Sequence, residues 1–121
     1  MTGEAHFARA YMYYGLVKRY GGVPLIDKVQ DDDYADGGPG AVAVPRSTEL
    51  DTWKFVLNEC TLAAATLPDA TSGSDLYRVT KWAAYALKSR VALHAASVAK
   101  YWNLAPLAGG WNDFCRCRCI L

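Results

Sequence analysis

An all-α fold is predicted by three observations on this sequence. Three separate stretches carry apolar residues at three- and four-residue steps. Each stretch is bracketed by residues that start and stop helices, and none sustains the alternation of a half-buried strand. Helices of this length are marginal alone in water, so each must bury its apolar stripe against the others, and connections of this kind favour antiparallel hairpins joined by long irregular loops.

The first helix is expected in GEAHFARAYMYYGLVKRYGGVPLI, residues 3–26, where Phe7, Ala10, Tyr11, Tyr14 and Val17 share one face. Glu4 at its start and Lys18 and Arg19 in its last turn suit the helix dipole. Gly21-Gly22 offers a left-handed stop and Pro24 prevents resumption, which ends the helix near Tyr20. Residues 27–46 then carry Asp31, Asp32, Asp33 and Asp36 followed by Gly37-Gly38-Pro39-Gly40, turn-forming composition without apolar period, and read as a loop. The acidic run lacks the alternating spacing and distal glutamate of a calcium-binding EF-hand, so a solvated loop is the reading.

In VPRSTELDTWKFVLNECTLAAATLP, residues 44–68, Ser47 or Thr48 caps a second helix, with Asp51 three residues after Thr48 in a box-like arrangement. Its stripe is Trp53, Val56, Leu57, Cys60, Ala64 and Leu67, and Pro68 closes it. After a polar stretch from Asp69 to Asp75, RVTKWAAYALKSRVALHAAS, residues 78–97, forms the third helix. Thr80 caps it, it runs on to about Trp102, and an alanine-rich face of Ala83, Ala86, Ala92, Ala95 and Ala96 allows close neighbours. The core is expected to hold Phe7, Tyr11, Trp53, Leu87 and Val91. From Pro106 onward no period is visible, so the chain divides into a helical unit, residues 1–105, and an irregular tail, residues 106–121.

Composition narrows the function. The 121 residues are one domain's worth, and 52% hydrophobic content with 21% charged residues is that of a folded protein. A formal net charge of +1 provides no field to gather nucleic acid or anionic lipid. No apolar run approaches the ~18–20 residues that span a bilayer, and Met1-Thr-Gly-Glu-Ala-His does not begin a signal peptide. Cys115, Cys117 and Cys119 form C-x-C-x-C, and a tetrahedral metal site there would need a fourth ligand such as Cys60, His6 or His94 brought from afar. Free thiols or adventitious disulfides are the plainer reading, and no metal or cofactor is expected. His6 and His94 lie inside helices without a nucleophile at an exposed turn, and the glycines at 21–22 and 37–40 lack a phosphate-loop lysine. No enzyme is expected.

Three blocks match one known family in order. GEAHFARAYMYYGLVKRYGGVPLI resembles the SusD/RagB segment of the type GEARFLRAYYYFxLVKRYGGVPLI; VPRST with the LAAATLP ending comes next, and RVTKWAAYALKSRVALHAAS is similar to RATKGAALALKARVYLYAAS. Together they cover roughly residues 3–100, whereas AGGWNDFCRCRCIL, residues 108–121, departs from the family's continuation. The resemblance implies helical hairpins of the tetratricopeptide-repeat type in a surface-exposed outer-membrane lipoprotein. It also implies capture of an oligosaccharide beside a TonB-dependent SusC-like transporter, with any address signal outside these residues. Sugar binding uses flat aromatic faces, and Tyr34, Trp102 and Trp111 lie in or beside expected loops where such faces can be exposed; local packing of the same rings is the alternative. A free-standing helical-repeat adaptor for proteins or peptides is the competing function. Apolar faces left over from repeat stacking imply self-association of the isolated chain.

Overall fold

The computed structural model describes residues 2–27 and 44–101. They form α1, Thr2–Tyr20, α2, Glu49–Thr66, and α3, Lys81–Tyr101, with a short 3₁₀ turn at Gly73–Asp75 between the last two. The all-α expectation holds, and the helix ends fall within one or two residues of those read from the sequence. Among the described residues no helix is long and apolar enough to cross a membrane.

α2 is the central helix. α1 runs antiparallel to it: Gly3, at the start of α1, lies against Thr66 and Leu67, while Gly21, just past its end, faces Glu49. A Cβ on Gly3 would stand 2.6 Å from the Thr66 hydroxyl oxygen, so the absence of a side chain there lets the helices meet. α3 returns antiparallel on α2, with Ala84 packed near Ala63, Ala64 and Leu67 and His94 stacked near Trp53.

Trp53 is fully buried where the three helices converge. Its ring lies 6.1 Å from Tyr14 of α1 and 5.2 Å from His94 of α3, and its indole N–H donates to Glu49 at 3.3 Å. Ala10, Val17, Val56, Cys60 and Val91 complete the centre. Two expectations shift by a helical step. Tyr11 is 58% exposed, because the buried seam of α1 runs through Gly3, Phe7, Ala10, Tyr14 and Val17, about 100° away around the helix. On α3 the buried stripe is Ala84, Leu87, Val91, Ala95 and Ala99; of the alanines expected there only Ala95 is buried, and Ala86 and Ala96 face solvent.

The helix ends are satisfied locally. Gly21 takes φ +70° and donates its N–H to Val17 O at 3.0 Å, the left-handed stop that glycine adopts without penalty. Arg46 donates to Gly22 O at 2.9 Å and Tyr20 O at 2.7 Å, placing a cation on the carbonyl end of α1. Ser47 N–H donates to Val23 O at 3.2 Å, so the two ends of the connection between α1 and α2 meet at its base. Thr48 caps α2: its hydroxyl oxygen accepts from Asp51 N–H at 3.1 Å and its O–H donates to the Asp51 carboxylate at 2.6 Å. Thr80 begins α3 through its carbonyl, which accepts from Ala83 N–H at 3.1 Å.

Candidate functional site, a polar cleft at the end of the bundle

Pro68 ends α2 and its carbonyl accepts Lys81 N–H at 3.0 Å, which fixes where α3 begins. The connection between them must therefore bulge outward, and it folds over the start of α1. Gly73 permits the turn with φ +64°. The result is a cleft of about 340 Å³. Gly3 and Glu4 come from α1, Thr66, Leu67 and Pro68 from the end of α2, and Ala70, Thr71, Ser72, Asp75, Arg78 and Val79 from the connection.

Arg78 organises its charge. Its Nε donates to Glu4 Oε1 at 2.7 Å and its Nη2 to Glu4 Oε2 at 2.6 Å, a two-pronged pair across 74 positions of sequence. Nη1 reaches Asp75 at 3.3 Å. The hydrogen bonds from Arg78 hold the Glu4 carboxyl below its ordinary range, and Glu4 in turn holds the guanidinium protonated. The Thr71 hydroxyl donates to Leu76 O at 3.3 Å, while the Ser72 side chain makes no capping bond to the turn it precedes.

Exposed aromatic residues occur in the connection and in the first turns of α3. Tyr77, in the turn between the lining residues Asp75 and Arg78, is 95% exposed. Trp82 is 61% exposed, lies 6.1 Å from the Tyr85 ring, and has the Lys81 ammonium 5.1 Å from its centroid. Lys81 also pairs with Asp69.

A second polar cluster joins α1 to α2 and serves packing. The nearly buried Glu59 carboxylate accepts from Arg9 Nε and Nη2 and from His6 Nδ1, each at 2.8 Å. His6 Nδ1 also lies 3.3 Å from Arg9 Nη2, so the imidazole sits against both members of the pair. His94 stacks edge to face on Tyr14 at 6.0 Å. Both imidazoles are thus engaged between helices.

Tyr34, Trp102 and Trp111 lie outside the described residues, as do Asp31, Asp32, Asp33, Asp36, the glycines at 37–40, the tail cysteines Cys115, Cys117 and Cys119, and the boundary at 105. The cleft residues were not singled out from the sequence. Nothing local links Glu4 to Arg78, but Trp82 and Tyr85 lie off the Ala84, Leu87 and Val91 stripe, and that periodicity alone marks them as exposed.

Residues 1–93 match the sequence profile of the SusD-like family described as starch-binding and associating with the outer membrane. The fold is similar to the crystal structure of a SusD-like protein from Bacteroides fragilis NCTC 9343, at 42% identity and a TM-score of 0.67. That likeness covers 81% of this chain and 19% of the Bacteroides chain. No curated protein matches. With the profile match taking in α1, α2 and most of α3, the chain belongs to the SusD-like family.

Proposed function

We propose that this chain is a scaffold portion of a non-catalytic glycan-capture protein within an outer-membrane nutrient-uptake complex. The observation that carries the reading is the family match over residues 1–93, whose description joins starch binding to the outer membrane. The packing supports it. Helical hairpins centred on Trp53 form a rigid frame, in the manner of tetratricopeptide repeats, on which loops can hold a ligand while helix faces hold a partner protein. In this reading the partner is a TonB-dependent SusC-like transporter, the setting is the cell surface with a lipid anchor, and Tyr34, Trp102 and Trp111 are glycan contacts from the loops. His6 and His94 are committed to helix contacts, which leaves neither imidazole poised over a substrate.

Migration of the purified chain through native gels cast with soluble starch, glucomannan or xylan tests the reading. Retardation in at least one gel, without release of reducing ends, is the expected result. Unretarded migration in all of them, or steady release of reducing ends, would overturn it. An adaptor for proteins is the second reading, favoured by Tyr11, Met12, Leu16 and Tyr20 exposed on α1. It predicts peptide binding with no retardation in any polysaccharide gel.

A further inference from the structure

We propose that the cleft between the start of α1 and the connection from α2 to α3 is a saccharide subsite that takes a neutral sugar unit. This rests on the glycan-capture reading and adds the place and the charge class of the ligand. At about 340 Å³ the cleft lies at the small end of the ~300–1,000 Å³ of small-molecule sites.

Its lining sorts the ligands by chemistry. Arg78 is already paired with both Glu4 and Asp75, so a phosphate, sulfate or uronate group would have to displace a carboxylate to reach it. Among the described residues no three His, Cys, Asp or Glu side chains gather as a cation would need. A wholly apolar ligand would strip water from the ion pairs without replacing its hydrogen bonds. A neutral ring bearing several hydroxyls satisfies all three constraints.

The groups present suit such a ring. Arg78 uses three N–H bonds on Glu4 and Asp75, which leaves two to donate, and the carboxylate oxygens keep lone pairs that can accept from sugar hydroxyls. Because the pair is already formed and planar, it presents adjacent donors and acceptors without ordering a free side chain. The Ser72 hydroxyl makes no capping bond and can turn to the ligand. Leu67 and Val79 provide an aliphatic wall for ring C–H groups, and the exposed Tyr77 directly precedes the lining residue Arg78 in the chain.

The test is a titration of the full isotope-labelled chain followed by amide correlation spectra. The neutral probes are maltoheptaose, cellohexaose, mannohexaose and xylohexaose, and oligogalacturonate is the anionic control. Saturable shifts at Thr71, Ser72, Asp75 and Arg78 with at least one neutral probe are expected. The paired substitutions Thr71→Val and Ser72→Ala should weaken binding at least fivefold with helical content unchanged. Tyr77→Ala, at a side chain too exposed to support the fold, should weaken it two- to fivefold. Binding with shifts confined to residues away from the cleft, or unmoved by these substitutions, would overturn the subsite while leaving glycan capture standing. Tighter binding of oligogalacturonate would overturn the neutral-ligand assignment. No shift with any probe would overturn both readings for this chain.

Discussion

Glu59 on α2 and Arg9 on α1 form a two-pronged pair, with both N–O distances at 2.8 Å, and the two partners are unequally wet: the Arg9 side chain is 32% exposed and that of Glu59 only 4%. Removing one partner of a buried pair strands the other, and the cost depends on which can regain water. Arg9→Met strands the buried carboxylate with His6 as its remaining partner and should cost about 3–5 kcal/mol. Glu59→Gln strands a guanidinium that solvent reaches and should cost about 1.5–3 kcal/mol. Urea unfolding of the two variants checks the order, and equal losses would contradict it.

Gly21 and Gly22 are adjacent but are required for different reasons. At Gly21 the backbone is left-handed with φ +70°, so Gly21→Ala should cost about 1–2 kcal/mol. A Cβ on Gly22 would run into the Ser47 carbonyl, and would also stand 2.9 Å from Glu49 N, where the start of α2 passes. Those obstacles are backbone and cannot turn aside, so Gly22→Ala should be the more damaging of the two. Thermal unfolding followed by circular dichroism reads the difference.

Trp53 fills the centre between the three helices, and Trp53→Ala should cost about 3–5 kcal/mol through lost contact and residual cavity. Trp53→Phe should cost less, since the ring survives and only its size and its bond to Glu49 are lost. Denaturant midpoints of both variants measure this, and an alanine variant as stable as the parent would show that the ring is not central.

Cys60 is fully buried, and burial pushes its thiol up to about 11 from the ordinary 9.0. Native Cys60 should react with a thiol-specific dye only on the timescale of opening. The sign of the pH dependence follows: a group whose pKa is raised in the folded state supports folding fully below pH about 9. That contribution is lost as pH rises from there through about 11, because the unfolded thiol ionises first. Cys60→Ala should flatten the stability decline across this window.

Large apolar side chains stay exposed on two helices, Tyr11, Met12 and Leu16 on α1 and Trp82, Tyr85 and Leu93 on α3. Apolar faces of this kind promote association, so the isolated chain should sediment as more than a monomer at tens of micromolar. Met12→Lys with Leu93→Glu should shift it toward the monomer without loss of helix. A monodisperse parent monomer would refute this.

Helix positions were legible because their signals are local. The Thr48 cap with Asp51, the Gly21 stop and Pro68 each act within four residues, and each sits where its chemistry requires. The choice of buried face was less legible. Tyr11 and Tyr14 both fit an apolar stripe by spacing, and only contact with Trp53 and His94 selects Tyr14. The cleft was not legible at all, since Glu4 and Arg78 are brought together by the path of the connection after Pro68 and by no repeating pattern in the chain.

The clamp of Arg46 on the carbonyls of Tyr20 and Gly22, with Ser47 bound to Val23, gives the chain an insertion point. The connection between α1 and α2 thus begins and ends at one fastened neck, and a change in its length leaves the bonds of that neck untouched. Doubling such a span costs only about 0.6 kcal/mol of closure entropy. Insertion of a few residues into this connection should therefore leave the stability of the three-helix frame nearly unchanged.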